Sequence, residues 1–389
     1  MKKLKSFASI LVINAILMGA VVLLAEIAAR YLFDNKFLVE GNQYVFFEFD
    51  DEWGWHGKAN ATGEFKRGKE FETYVTLNSD GYRDTPFSEK KPDGITRIAV
   101  LGDSFTWGFG VENNEIFTAV MQRELGKSYD VMNMGLSGFG RGQQWLQLKR
   151  DVLRFKPDIV LILAYPGNDF YDNLADNPTA EIYPRPKFSI DHSGKLHMST
   201  LPLENPGDNF EERLFLNRTG KWLRYYKRSY LFRVLFHVFS QANKAWENTP
   251  DAYVNEIFLE TSLPLLKKQL AVEKAILAEM KTVLDQTKTT MVYAIATTTE
   301  MVRPALQEKN ESAFPDTKIN WLQPTTLLKS ASQSLDIETI DLQPVLAPIA
   351  KEGRQIHNTI DFHWTVLGND IVGKALAKRI KTLLAQESN

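Results

Sequence analysis

Residues 97–104 read Arg97-Ile98-Ala99-Val100-Leu101-Gly102-Asp103-Ser104. Four consecutive apolar residues describe a short buried strand, and the glycine ends it in a turn that presents a serine hydroxyl at the strand's carboxyl end. The pattern repeats downstream. Tyr129–Met134 predicts a second strand and Asp158–Ala164 a third, apolar without a break from Ile159 as a central parallel strand is. Helical spacing over Glu115–Leu125 and Gln143–Phe155 separates them. Strands alternating with helices predict an α/β fold, a three-layer α/β/α sandwich around a parallel sheet. The alternation stops near Phe170 and resumes with strands at Met291–Ala296 and Glu338–Asp341, ahead of a final amphipathic helix over Val366–Ala385.

The rest of the chain is organised around this sheet. Residues 31–95, punctuated by Gly54, Gly57, Gly63, Gly68 and Gly81, read as a β-rich lead-in with a half-buried strand over Phe71–Leu77. Residues 96–389 form the main domain, interrupted at about 171–289 by an insertion. The insertion opens with a loop rich in Pro, Asn and Asp to residue 210 and continues as helices over Arg218–Trp246 and Pro264–Thr287. The first of these helices carries Arg218, Lys221, Arg224, Lys227, Arg228, Arg233 and Lys244, no acidic residue, and interleaved aromatics. It fits a helix packed on the main domain with a basic outer face, a membrane-surface helix, or a groove for an anionic glycan.

Residues 1–30 carry Lys2, Lys3 and Lys5, then an apolar run from Phe7 to Ala25 broken only by Ser9 and Asn14. At helical rise the run spans about 28 Å, close to the hydrocarbon thickness of a bilayer. Glu26-Ile27-Ala28-Ala29 is a poor cleavage site, so an uncleaved, single-pass signal anchor at the cytoplasmic membrane is expected in preference to a cleaved signal or a buried helix. The lysines then stay inside, and the remainder faces the outer side.

Lys and Arg total 46 against 48 Asp and Glu, which leaves no basic field for nucleic acid. The absence of cysteine excludes a thiol nucleophile, a Cys-ligated zinc and any disulfide. Gly138-Phe139-Gly140-Arg141-Gly142 lacks the Gly-Lys-Ser/Thr ending of a phosphate loop, and His192 and His197 beside Asp191 lack a recognisable ligand spacing. No cofactor or metal is expected.

Four segments are predicted to converge on the carboxyl edge of the sheet, where open α/β sheets bind ligands. They are Gly102-Asp103-Ser104, Asn133–Gly138, Pro166-Gly167-Asn168-Asp169 and Asp361-Phe362-His363-Trp364. Together they offer a hydroxyl, a backbone N–H, a side-chain amide, an imidazole and a carboxylate, the parts of an acyl-transfer site. Among His56, His192, His197, His237 and His357, only His357 rivals His363. Asp103 is expected to support the turn by accepting backbone N–H bonds.

On these motifs the chain resembles the SGNH, or GDSL, hydrolase superfamily over about residues 97–170 and 338–385, in the family's order. The resemblance implies Ser104 as nucleophile, His363 as base and Asp361 as its orienting partner. It implies an oxyanion hole from the Ser104 and Gly138 N–H groups and the Asn168 amide. Two positions depart from the pattern. Pro166 replaces the glycine of Gly-x-Asn-Asp, and Asp-x-His-Trp stands for Asp-x-x-His, a form similar to alginate O-acetyltransferase-like proteins. The implied activity is a serine esterase acting on O-acyl or O-acetyl groups of envelope or exported carbohydrate. The alternatives are an O-acyltransferase to a polysaccharide hydroxyl, a lipid-directed esterase or thioesterase, and a non-catalytic envelope assembly protein. Expected partners are an acylated carbohydrate or lipid substrate and the membrane; no protein partner is indicated.

Overall fold

The computed structural model describes residues 2–32, 46–67, 70–172, 185–199, 201–204, 229, 231–232, 234–235 and 254–387. The chain falls into two compact units, one of residues 1–40, 67–69 and 215–251, the other of residues 41–66, 70–214 and 252–389.

The larger unit is built on five parallel strands, β5 (Thr96–Leu101), β6 (Tyr129–Asn133), β7 (Ile159–Ala164), β10 (Thr290–Ile295) and β11 (Glu338–Asp341), in the order β11-β10-β7-β5-β6. All six residues of β7 are buried, as its unbroken apolar run requires of a strand covered on both faces. The chain leaves β5 toward β6 on one side and returns to β7 on the other, so a crevice opens between the carboxyl ends of β5 and β7.

Two groups of helices cover the sheet. One pairs α3 (Phe117–Leu125) with the C-terminal α11 (Val366–Glu387). Gly373 of α11 lies so close to α3 that an added Cβ would come within 2.5 Å of Val120. The other sets α6 (Leu263–Thr287) against α4 (Arg141–Arg150) and α9 (Gln323–Gln333). The sequence pattern alone places Pro264–Thr287 in the insertion. The structure uses α6 as a layer of the sandwich, burying Leu266, Val272, Ile276, Leu277, Met280 and Leu284 at helical spacing on the way to β10. The expected Gln143–Phe155 helix is α4 followed by a separate 3₁₀ turn at Val152–Phe155. The sequence pattern gives no helix for the 298–352 stretch, where the structure has a short one, α7 (Thr299–Val302), and three longer ones, α8 (Pro304–Ala313), α9 and α10 (Gln343–Lys351), the longer three each with proline in the first turn.

The lead-in forms two antiparallel pairs, β1 (Phe47–Asp50) with β2 (Gly54–Gly57) and β3 (Thr62–Arg67) with β4 (Phe71–Thr76). Phe46, Trp53, Trp55, Phe65 and Val75 belong to the same hydrophobic core as the sheet. A further hairpin, β8 (Phe188–Ile190) and β9 (Leu196–Met198), lies in the stretch read as loop.

In the smaller unit, α1 spans Lys2–Leu32, with side chains described from Ile13. Ile16, Leu17, Met18, Val21, Val22, Leu23 and Leu24 are all more than half exposed, and Glu26 accepts hydrogen bonds from Ser229 Oγ at 2.7 Å and Leu231 N at 2.9 Å. Among the described residues no helix is long and apolar enough to cross a membrane. The basic aromatic helix expected over Arg218–Trp246 lies largely outside the described residues.

Leu161 sits at the centre of β7 with no exposed surface. Leu161→Ala is expected to lower stability by about 2–5 kcal/mol, read from the denaturation midpoint.

Candidate active site

The turn after β5 is packed too tightly for side chains at its glycines. A Cβ at Gly102 would fall 2.0 Å from Thr106 Oγ1, and one at Gly135, in the β6–α4 loop, 2.6 Å from the Trp107 N. Ser104 opens a single helical turn, α2 (Ser104–Trp107), capped by Asp103, whose Oδ1 accepts the Phe105 N–H at 2.9 Å. Strand and cap together hold the Ser104 hydroxyl at the carboxyl end of β5.

His363 arrives from the far end of the chain. Its Nε2 lies 2.7 Å from Ser104 Oγ, and its Nδ1 lies 3.0 Å from Asp361 Oδ1. The loop that carries it is closed by hydrogen bonds from Asn358 N to His363 O at 2.8 Å and from Thr365 N to Ile356 O at 3.0 Å. At its tip Phe362 adopts φ +67°, a left-handed conformation that costs a residue with a Cβ about 1–2 kcal/mol. That kink lets Asp361 Oδ1 accept both the His363 N–H, at 3.1 Å, and the ring Nδ1–H across one intervening residue. The shortened Asp-x-His spacing therefore still delivers an aligned carboxylate–imidazole pair. The Asp361 side chain has no exposed surface, while that of His363 is 16% exposed, so the imidazole faces the crevice.

Aromatic rings fix the imidazole plane. Phe109 stacks on His363 at 4.3 Å between ring centres and 16° between planes, and Phe105 lies at 4.6 Å. Trp364, fully buried, sets its edge against Phe105 and Phe117, tying the histidine loop to α2 and α3.

The β6–α4 loop joins the Ser104 turn through the Leu136 N–H to Gly102 O, at 3.1 Å. Gly138 follows at φ +81°, held by the Trp55 indole N–H on Ser137 O at 3.0 Å. Neither the Ser104 nor the Gly138 N–H donates to a protein acceptor among the described residues. After β7, Asn168 directs Nδ2 at Asp103 Oδ2, 3.2 Å away. A carboxylate only accepts, so this contact orients the amide and leaves the second Nδ2–H uncommitted. Burial pushes the Asp103 carboxyl up from its ordinary value, against the pull of the Phe105 N–H and the His363 charge. Asp103 thus joins the first and third segments, beyond the turn support expected of it.

Beneath these loops lies an ionic cluster that sequence reasoning missed. Arg141, at the start of α4, is fully buried and binds Asp169 Oδ2 at 2.9 Å and Glu273 Oε1 at 2.8 Å. Asp169 Oδ2 also accepts the Tyr165 N–H at 2.8 Å, and Tyr293 donates to Glu273 at 3.1 Å. The cluster ties the loop carrying Gly138 to the turn carrying Asn168. The hint in the sequence is a basic residue opening α4 and an acidic one beside Asn168; Glu273, on α6, carries no local signal.

His357, the rival histidine, has no exposed surface and donates from Nε2 to Thr297 O at 3.2 Å. Burial drives its pKa down to about 3.

Arg141→Ala strands two buried carboxylates and is expected to cost about 3–5 kcal/mol of stability, measured by chemical denaturation. Because His357 is neutral when folded and protonates near 6.5 when unfolded, it contributes stability that is complete above pH 6.5 and lost as pH falls toward 3. Stability curves of wild type and His357→Asn are expected to differ in slope across that window, the variant being flatter.

Residues 100–198 match the GDSL-like lipase/acylhydrolase family, and residues 253–389 match the SGNH hydrolase-like domain of acetyltransferase AlgX. No curated protein matches the chain. Solved structures with similarity include an acetyl xylan esterase, AlAXEase, at 12% identity, covering 73% of this chain and 99% of that one with a TM-score of 0.39. A lipase/acylhydrolase from Enterococcus faecalis matches at 12% identity over 74% and 96%, TM-score 0.37. An aryl esterase from M. smegmatis matches at 13% over 74% and 99%, TM-score 0.37. With a GDSL-type match over the stretch that carries Ser104 and an SGNH-type match over the stretch that carries His363, the chain belongs to the SGNH/GDSL hydrolase superfamily.

Proposed function

We propose that this protein performs acyl-ester chemistry through a covalent intermediate on Ser104, acting on O-acylated, chiefly O-acetylated, carbohydrate of the cell envelope or of an exported polysaccharide. The observation that carries the reading is the continuous hydrogen-bonded chain from Ser104 Oγ through His363 to buried Asp361. Ser104 Oγ attacks the ester carbonyl as His363 Nε2 takes its proton. Asp361 holds the imidazole tautomer and stabilises the imidazolium. The uncommitted N–H groups of Ser104, Gly138 and Asn168 supply the donors that the oxyanion needs. His363 then protonates the departing alcohol oxygen, and a second hydroxylic molecule, deprotonated by the same imidazole, releases the acyl group.

Hydrolysis and transfer differ only in that second molecule. Water gives an esterase. A sugar hydroxyl gives an O-acyltransferase, the reading favoured by the match of residues 253–389 to an acetyltransferase domain and by the Asp-x-His-Trp form of the last motif. The apolar run over Phe7–Ala25 behind three lysines supports an N-terminal anchor that keeps the catalytic unit on the outer face of the cytoplasmic membrane.

The test is turnover by the detergent-solubilised full chain on acetylated envelope glycan, with deacetylated glycan present or absent as acceptor. Ser104-dependent release of acetate alone identifies an esterase, and acetate appearing on the acceptor identifies a transferase. Ser104→Ala is expected to abolish either by about 10³-fold or more. Asn168→Ala is expected to lower kcat by about 10²–10³-fold with little change in KM. A strong preference for long-chain acyl esters would overturn the carbohydrate reading.

A further inference from the structure

The 359–361 turn just ahead of His363 is held by a carboxylate that lies outside both matched regions. Glu70 Oε1 accepts the Thr359 N–H at 2.5 Å, the Ile360 N–H at 2.7 Å and the Thr359 hydroxyl at 3.1 Å, while Oε2 accepts the Asp361 N–H at 3.0 Å. Three successive amides converging on one anion form a backbone nest, here filled by a side chain 289 residues upstream. The next residue repeats the contact by other means. Phe71 sets its edge against Phe109 at 5.7 Å, and Phe109 is the ring stacked on His363. The start of β4 therefore touches the catalytic loop through its backbone and through the ring behind the imidazole.

We propose that Glu70 is a positioning residue for the proton-transfer pair. Its carboxylate holds Asp361 by the backbone and so maintains the left-handed turn at Phe362 on which the alignment of Asp361 Oδ1 with His363 depends. Ile360 and Phe362 have 57% and 47% of their surface exposed, so little side-chain burial holds the turn in this shape. The nest supplies the constraint that packing does not.

The inference rests on the catalytic reading above for its kinetic test but not for its structural one. Glu70→Ala removes the anion. Glu70→Gln keeps one carbonyl oxygen for Thr359 and Ile360 and turns an NH₂ toward the Asp361 N–H, so it breaks the one bond nearest the catalytic carboxylate. Each variant is measured for hydrogen exchange at the 359–361 amides, for the His363 Nδ1–H proton resonance, and for kcat and KM. In folded Glu70→Ala the three amides are expected to lose protection and the Nδ1–H signal to broaden. A geometric slip of this kind costs up to about 10²-fold in kcat at unchanged KM. Glu70→Gln is expected to lose protection chiefly at Asp361, with a smaller fall in kcat, and it decides the matter if the alanine variant does not fold. Unchanged exchange and an unchanged Nδ1–H signal in folded variants would overturn the proposal. So would a raised KM at full kcat, which would make Glu70 a substrate contact. Were the wild type itself without Ser104-dependent turnover, the exchange and proton signals would still test the role of Glu70 while the catalytic reading alone fell.

Discussion

A 2.7 Å contact joins Ser104 Oγ to His363 Nε2 across 259 residues of chain, and the rest of the structure serves to hold it. A serine hydroxyl is a poor nucleophile until an acceptor lies on its proton, so in the proposed reaction an error of one ångström here costs about 10²-fold in rate. Neither partner secures the contact by itself. Ser104 is fixed by the end of β5 and the Asp103 cap, and His363 by a closed loop, two aromatic rings and the Glu70 nest.

The arrangement concentrates unfavourable local terms at one edge of the sheet. Phe362 is held left-handed, Asp103 is buried with its carboxyl pushed up, and Arg141 lies with two carboxylates out of water. Each is tolerable only because its neighbours over-determine it. Asp103 is bonded by the Phe105 amide and the Asn168 side chain, and Arg141 meets both acids in direct ion pairs. Breaking one member leaves the others buried without a partner, which is why the cluster costs more to disturb than it contributes as a set. Strain and buried polarity gathered where the sheet opens a crevice are what a preorganised site requires.

Much of this was legible in the chain because it is encoded locally. The apolar runs at Ile98–Leu101 and Ile159–Ala164, and the alternation around them, led to the sheet and its open edge. Glycine turns and the Asp-x-His pair led to Ser104, Asn168 and His363. What escaped reading depends on distant partners. Glu70 looks like any acidic residue at the start of a strand until the turn 289 positions away is folded against it. Glu273 sits on a helix that was read as part of an insertion, because the long stretch before α6 hid its place in the βα alternation. The helices over residues 304–351 had a signal in Pro304, Pro324 and Pro344, each in a first helical turn where the missing N–H costs nothing. Each of these helices is only 9 to 11 residues long, so no extended amphipathic run announces it.

The central claim is that the hydroxyl of residue 104 is activated by the imidazole of residue 363. Intact-mass and peptide mapping after treatment with a fluorophosphonate reads that activation directly. The account predicts one adduct per chain, located on the peptide containing Ser104, formed at least about 10²-fold more slowly in a folded His363→Asn variant. Labelling at another residue, or labelling of Ser104 at an equal rate without the imidazole, would contradict it.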